Sequence, residues 1–138
     1  MNIAVYWTFH DYVEGGQNPI GEWYTNDLSD AGRFGFDAAL KNAARTKSEL
    51  GWSGFKYLQG EPSKEKIWQL DFRADGRQYR LLGVFRPGRQ AVLLIGCYHK
   101  GKVYTPPNAF DSAIKRAKAI REKKTGVTTS ERKIRLDF

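Results

Sequence analysis

One stretch of the sequence, residues 67–104, alternates apolar and polar side chains and is interrupted by two tight-turn signals, Asp75-Gly76 and Pro87-Gly88. Alternation with a period of two places successive side chains on opposite faces of a strand, and turns of these compositions join antiparallel strands. The stretch therefore predicts consecutive antiparallel strands joined by hairpins. The three predicted strands cover residues 67–73, 78–86 and 91–100.

Apolar residues at three- and four-residue spacing predict helices on either side of these strands. In residues 30–46, Phe36, Leu40 and Ala43 fall on one face, and Ser29 or Asp30 can cap the helix start. A helix that opens with prolines in its first turn is expected over residues 105–124. The remaining predicted elements are a strand at residues 2–9, a helix at residues 19–28 and a short last strand at residues 134–138.

This order of elements predicts an α+β fold with a mostly antiparallel sheet of four to five strands and helices packed on one face. The chain has 138 residues, 41% of them hydrophobic, which is enough for one domain with a real core. We expect that domain to occupy residues 1–124. Residues 125–138 are expected to form a basic C-terminal extension that provides room for an added strand.

Composition argues against several classes of protein. No apolar run reaches the length of a membrane span, so a soluble, cytoplasmic protein without membrane association is expected. The single cysteine, Cys97, cannot form an internal disulfide, and we interpret it as a small buried residue. Two histidines and one cysteine disfavour a structural zinc site, and neither a metal nor another cofactor is expected.

Positive charge is concentrated near the C-terminal end of the chain. The formal net charge is +8, and residues 115–135 contain nine basic and two acidic residues, a net charge of +7. Charge gathered in one segment favours a polyanionic or acidic partner. The alternative is a solvated helix face followed by a frayed tail.

The predicted strands also carry an unusual set of side chains, with several cations and almost no carboxylates. Guanidinium groups match phosphate oxygens in geometry and charge, so this surface fits a phosphate-bearing ligand. The residues concerned are Arg73, Arg80, Arg86, His99, Lys100 and Tyr104.

An ordered series of short motifs extends over residues 19–120. In chain order these are Pro19-Ile20-Gly21-Glu22-Trp23, Lys56-Tyr57-Leu58, Trp68-Gln69-Leu70-Asp71-Phe72-Arg73, Gln78-Tyr79-Arg80, Gly96-Cys97-Tyr98-His99-Lys100 and Ala113-Ile114-Lys115-Arg116-Ala117. No single motif is specific, but the ordered set resembles the RelE/HigB-type toxins of bacterial and phage toxin–antitoxin systems, most closely the HigB-like branch.

The resemblance implies a small endoribonuclease, an mRNA interferase, with a sheet flanked by helices. Such toxins cleave messenger RNA at the ribosome without a metal, by attack of the 2′-hydroxyl on the adjacent phosphate. A cognate antitoxin, often a helix-turn-helix protein, inhibits the activity of the toxin. Relatives of the ParE type inhibit gyrase instead, and a basic nucleic-acid-binding protein without turnover is a further alternative.

Position by position, the resemblance assigns four catalytic candidates. Arg80 matches an arginine that binds the scissile phosphate. His99 matches a HigB-like catalytic position, and Tyr104 matches a catalytic tyrosine. Arg73 matches an arginine whose role is more often structural. The residues expected to bind RNA are Arg77, Arg86, Tyr98, Lys100, Lys115 and Arg116.

Two positions depart from the RelE-type pattern, which supplies lysines where this chain has Gln69 and Asp71. A carboxylate near a phosphate site repels the phosphate. Three explanations remain open: Asp71 faces away, the site is weak, or another cation compensates. The candidate cations are Lys66, Arg77 and Lys100.

The proposed catalytic residues also have plainer interpretations. His99 can be a surface residue at a strand end, and Tyr104 can simply pack against the last helix. If catalytic, His99 can act as base or as acid, because histidine titrates near neutrality. A two-histidine site formed by His10 and His99 is a further hypothesis.

Overall fold

Seven strands form one sheet within residues 4–100 and 102–134, the part of the chain that this computed structural model describes; the side chain of residue 100 also lies outside the description. Three α-helices and two short 3-10 turns, Glu49–Gly51 and Glu61–Glu65, accompany the sheet in these residues. In chain order the strands and helices are β1 (Thr8–Glu14), α1 (Pro19–Asn26), α2 (Asp30–Ala44), β2 (Phe55–Tyr57), β3 (Trp68–Ala74), β4 (Arg77–Arg86), β5 (Gln90–Lys100), β6 (Val103–Thr105), α3 (Ala109–Arg121) and β7 (Val127–Arg132).

The three strands predicted from the alternation are β3, β4 and β5, and they pair as antiparallel neighbours in the middle of the sheet. The order of strands is β2-β3-β4-β5-β1-β7, with β6 paired to the C-terminal part of β5. Asp75 and Gly76 both have positive φ, at 54° and 68°, as a tight hairpin of mirror-image type requires. The Asp-Gly signal in the sequence therefore identified this turn correctly.

Helices cover both faces of the sheet, so the expectation that they pack on one face was wrong. On one face, α1 and α2 enclose a core that includes Phe9, Phe36 and Trp68. On the other, α3 packs on a second core that includes Leu82 and Leu94. The central strands are apolar on both sides, and burying both requires a helical layer on each.

The number of strands was also underestimated, because four to five were expected and seven are present among the described residues. The two additional short strands, β2 and β6, have three residues each. No element was predicted at β2, and β6 overlaps the predicted last helix at Thr105. Thr105 pairs with Tyr98 in the sheet, so α3 begins only at Ala109. Strands this short give little periodic signal.

The two outermost predicted strands are displaced along the sequence. The first strand is β1, Thr8–Glu14, and not residues 2–9, of which residues 1–3 lie outside the described part. The last strand is β7, Val127–Arg132, before the predicted residues 134–138, of which 135–138 are not described. The pairing of β7 with β1 along six residues explains this position.

The α-helices lie close to their predicted positions. Helix α2 covers Asp30–Ala44, and the hydroxyl oxygen of Ser29 accepts a hydrogen bond from the backbone N–H of Gly32 at 3.0 Å, as expected for a capping serine. Asn18 caps α1 in the same way. In the described part of the chain, no helix combines the length and apolar character that crossing a membrane would demand.

A buried ion pair fastens β7 to the rest of the sheet. The guanidinium of Arg132 donates from Nε to Asp11 Oδ1 at 2.9 Å and from Nη2 to Asp11 Oδ2 at 2.8 Å. The same guanidinium lies 5.1 Å from the ring centroid of Tyr24 and 5.0 Å from that of Phe36. This pair thus links β1, β7 and the helices of one layer.

Candidate functional site

Two rows of polar side chains cross the sheet at the adjoining ends of β3, β4 and β5, on the α3 face. In the first row, Arg80 lies between Asp71 and Cys97. In the second row, Gln78 pairs with Arg73 on one side and His99 on the other, and Tyr104 follows on β6. The alternation of each strand therefore brings the candidate residues to one face, because residues two apart share a face.

Arg80 is the centre of this arrangement. Its Nη1 donates to the hydroxyl of Tyr104 at 2.6 Å and to Gln69 Oε1 at 3.4 Å, and its Nε lies 3.7 Å from Asp71 Oδ1. The side chain is 19% exposed. Side chains from β3 and β6 thus hold the guanidinium, while its Nε is buried without a hydrogen-bond partner among the described residues.

The aromatic rings of His99 and Tyr104 lie next to each other. Their centroids are 5.4 Å apart, and the guanidinium of Arg80 lies 5.4 Å from the centroid of Tyr104. Tyr104 also packs on Phe110 of α3, with centroids 4.9 Å apart. Tyr104 therefore contacts the last helix, as its plainer interpretation had it, and Arg80 and His99 as well. We refer to Gln69, Asp71, Arg80, His99 and Tyr104 as the Arg80 cluster.

Asp71 faces into the cluster, so the explanation that it faces away is wrong. Both its oxygens accept hydrogen bonds from Gln69 Nε2, at 3.1 and 3.3 Å. Burial raises the pKa of the Asp71 carboxyl, and the charges of Arg80, Lys56 and His99 oppose that rise. The charges that offset this carboxylate thus come from Arg80, Lys56 and His99.

Lys56 is the site residue that the sequence alone did not reveal. It lies on β2 and pairs with Gln69 of β3, in a stretch where the sequence predicted no strand. Lys66, one of the cations proposed to compensate for Asp71, instead lines a cavity of about 740 Å³, and Arg77 lies on the other face of the sheet. The signal that would have identified Lys56 is the alternation of a three-residue strand, too short to detect.

Arg73 lies on the same face as the cluster but at its margin. It is exposed, and its Nη1 is 3.5 Å from Gln78 Oε1. This position lets it extend toward a ligand that also reaches Arg80.

Three of the residues expected to bind RNA lie together, away from the Arg80 cluster. Arg77 and Tyr98 occupy the opposite face, where the guanidinium of Arg77 lies 4.5 Å from the ring centroid of Tyr98. With Arg116 and Trp23 they line a cavity of about 570 Å³. Arg116 donates from Nη1 to the carbonyl of Leu94 at 2.7 Å, and burial lowers its pKa.

The remaining residues expected to bind RNA are dispersed. Arg86 donates to Gln90 Oε1 at 2.7 Å and to Thr129 Oγ1 at 3.0 Å, beside a cavity of about 740 Å³. Lys115 is exposed on α3, and the side chain of Lys100 lies outside the description. The fold therefore brings together the catalytic candidates more closely than the RNA-binding candidates.

Two further interpretations of single residues have clear outcomes. Cys97 is fully buried, and burial raises the pKa of its thiol to about 12, which agrees with an inert core residue. The two-histidine hypothesis is wrong. His10 pairs with Val92 on β5, and seven residues of strand separate that position from His99, roughly 23 Å at about 3.3 Å per residue.

This sheet, with helices on both faces and an arginine-centred cluster of polar side chains at the strand ends, defines an α+β protein with one compact candidate site. The sequence model of the family described as "Phage derived protein Gp49-like (DUF891)" matches residues 24–118, well over half of the chain. The protein therefore belongs to this phage-derived family, which is related to toxin–antitoxin systems and consists of RelE-like toxins. No curated protein and no solved structure matches the chain significantly.

Proposed function

We propose that this toxin is a metal-independent endoribonuclease of the HigB/RelE type, which cleaves messenger RNA at the ribosome in the cytoplasm. The observation that carries the proposal is the Arg80 cluster, in which a guanidinium, an imidazole and a phenol lie within one group of contacts. Those are the functional groups that cleavage of RNA by its own 2′-hydroxyl requires.

The reaction has three requirements that side chains can meet. A base takes the proton of the 2′-hydroxyl, cations stabilise the charge that develops on the phosphorane, and an acid protonates the leaving 5′-oxygen. Arg80 supplies the charge at the phosphate. His99 and Tyr104 lie beside it and provide groups for proton transfer.

The hydrogen bond from Arg80 to Tyr104 gives the cluster its geometry. Because the phenol oxygen accepts from Nη1 at 2.6 Å, it fixes the plane of the guanidinium, and two-pronged contact with a phosphate depends on that plane. The phenol itself stays within reach of a phosphate oxygen bound there. Arg73, on the same face, adds a second cation for the neighbouring phosphate.

The partner that regulates the proposed activity is a cognate antitoxin, as expected for a family of this kind. A helix-turn-helix protein is the form we propose, since HigB-like pairs often use one. An adjacent reading frame of this type would support the assignment to the HigB-like branch.

The decisive experiment is inducible expression of the full chain in bacteria, with Arg80→Ala and His99→Ala compared with the unmutated protein. We expect growth arrest and new transcript ends carrying 5′-hydroxyls from the unmutated protein, and neither effect from the variants. Lys64→Ala is the matched control, because Lys64 forms an exposed pair with Glu61 and is not part of the Arg80 cluster. Intact transcripts after induction of the unmutated protein would refute the nuclease assignment.

One observation favours a second candidate, a non-catalytic module that inhibits a protein such as gyrase. Asp71 places a carboxylate within 3.7 Å of the guanidinium that is meant to bind phosphate. Growth arrest with intact RNA and trapped gyrase–DNA complexes would select this candidate. Tight, salt-sensitive RNA binding without cut ends would instead indicate a nucleic-acid-binding protein without turnover.

A further inference from the structure

We propose that Asp71 is the general base of the Arg80 cluster and removes the proton of the attacking 2′-hydroxyl. The inference rests on the proposed ribonuclease function and assigns the remaining chemical role within it. It also gives a purpose to the one residue that most conflicts with a phosphate site.

The position of Asp71 fits this role. Asp71 pairs directly with Arg80 across β3 and β4, and its side chain is 22% exposed, so a ligand held by Arg80 can reach it. The 3.7 Å between Asp71 Oδ1 and Arg80 Nε exceeds a hydrogen bond. The carboxylate therefore keeps lone pairs that a tight ion pair would occupy, and these can accept a proton.

Gln69 orients the carboxylate. Its amide nitrogen donates to both oxygens of Asp71, while its amide oxygen accepts from Arg80 Nη1 at 3.4 Å. Gln69 is 1% exposed, so its own position is fixed by packing. The buried amide contacts both Asp71 and Arg80. It therefore fixes the base relative to the phosphate-binding group, as preorganised catalysis requires.

The charges around Asp71 come from each strand packed against it. Lys56 faces it from β2, Arg80 from β4 and His99 from β5, and all three favour its ionised form. Burial acts in the opposite direction and is the larger influence, so the pKa of Asp71 lies above its ordinary value. A carboxylate whose pKa is raised is a stronger proton acceptor than an ordinary aspartate.

The proposed step is balanced without any further reactant. A carboxylate oxygen of Asp71 takes the 2′-hydroxyl proton as the 2′-oxygen forms a bond to phosphorus, and the bond between phosphorus and the 5′-oxygen breaks. The 5′-oxygen leaves with its electron pair and takes a proton from the His99 imidazolium. The products are a 2′,3′-cyclic phosphate and a 5′-hydroxyl, and proton exchange with water restores both side chains.

The competing interpretation is that Asp71 merely neutralises Arg80 in the absence of RNA. Both interpretations predict that removing the negative charge leaves RNA affinity unchanged or makes it tighter. They differ in turnover. A mere counter-ion would slow cleavage by competing for Arg80, so its removal would speed the reaction, whereas removal of a base slows it.

The experiment compares the full chain with its Asp71→Asn and Asp71→Glu variants, using ribosome-bound messenger RNA and a free single-stranded RNA oligonucleotide as substrates. We expect Asp71→Asn to lower kcat by about 10²–10⁴-fold, the usual contribution of a positioned acid or base, without raising KM. The acidic limb of the pH–rate profile is expected to disappear in this variant. Asp71→Glu is expected to regain part of kcat and to keep the acidic limb.

Melting temperatures of the variants separate these effects from misfolding. Cleavage by Asp71→Asn at the rate of the unmutated chain or faster, with an unchanged pH profile, would overturn the inference and leave the proposed nuclease intact. Failure of the unmutated chain to cleave either substrate would instead remove the proposed function, and the inference with it.

Discussion

Among the described residues, two arginine–aspartate pairs join neighbouring strands, and they are built differently. Arg132 binds Asp11 through two hydrogen bonds of 2.9 and 2.8 Å, and the Asp11 side chain is only 5% exposed. Arg80 approaches Asp71 to 3.7 Å through one nitrogen, and both side chains are about one-fifth exposed, at 19% and 22%. The same two residue types thus form a closed pair and an open pair.

The difference lies in where the remaining donors of each arginine point. Arg132 uses both prongs on its carboxylate, and its guanidinium lies beside the rings of Tyr24 and Phe36. Arg80 divides its contacts among a carboxylate, an amide and a phenol. A saturated pair stabilises a fold, whereas an arginine with divided, looser contacts can exchange them for phosphate oxygens.

The largest expected effect is on stability, from Arg132→Ala. Because Asp11 would remain as a buried carboxylate without its cation, we expect the free energy of unfolding to fall by about 3–5 kcal/mol. Chemical denaturation measures this change. The control is Lys133→Ala, since the 91%-exposed Lys133 pairs with Glu131 on the surface and such pairs contribute about 1 kcal/mol or less. Similar losses from both variants would contradict the distinction between closed and open pairs.

The next effect is on activity, from Arg80→Ala. Loss of a charged donor at the phosphate is expected to lower kcat by about 10²–10³-fold, while the unfolding midpoint changes much less than in Arg132→Ala. Steady-state cleavage and denaturation of the same preparations test the pair of outcomes. If Arg80→Ala unfolded the protein as severely as Arg132→Ala, the open pair would be structural and the comparison would fail.

The sequence identified the centre of the sheet because β3, β4 and β5 are long, alternate regularly and are joined by turns with a specific chemistry. The same alternation placed Arg80 and His99 on one face once the register was known. The short strands escaped detection because three residues carry almost no periodic signal. Tyr104, on β6, joined the predicted site through the family resemblance and not through its local pattern.

The rest depended on tertiary packing. Covering both faces of the sheet follows from apolar side chains on both sides of β4 and β5, a pattern that a buried helix can also produce. The pairing of Asp11 with Arg132 joins residues 121 positions apart, and no local pattern encodes such a contact. For the same reason the sequence shows that Asp71 departs from the family pattern. It does not show that Lys56, on β2, helps to offset the charge of Asp71.

A smaller effect is expected on the pH dependence of stability. The pKa of Asp71 is raised in the folded protein, so this carboxyl takes up a proton more readily in the folded state than in the unfolded chain. Stability from this group is fully present below the unfolded-state pKa and is lost as pH rises through the folded-state pKa. We therefore expect Asp71→Asn to be more stable than the unmutated protein at pH 7, with the gain vanishing on acidification. Unfolding midpoints from pH 7 to acidic pH measure this gain in stability, and Glu61→Gln at an exposed position is the control. A loss of stability in Asp71→Asn at pH 7 would show that the ion pair with Arg80 outweighs the cost of burial.

The smallest effect is expected from a cation outside both pairs, Lys115, which is exposed on α3. If this lysine contacts one phosphate of a bound single strand, its removal releases one fewer counterion. The slope of log K against log salt should then fall in magnitude by about 0.7, with little change in kcat. Titrations of an RNA oligonucleotide at several salt concentrations measure the slope, and the exposed, neutral Gln17→Ala is the control. An unchanged slope would mean that Lys115 contacts no phosphate and would restrict RNA contact to the sheet face. A lower kcat would instead mean that the catalytic surface extends from the Arg80 cluster onto α3.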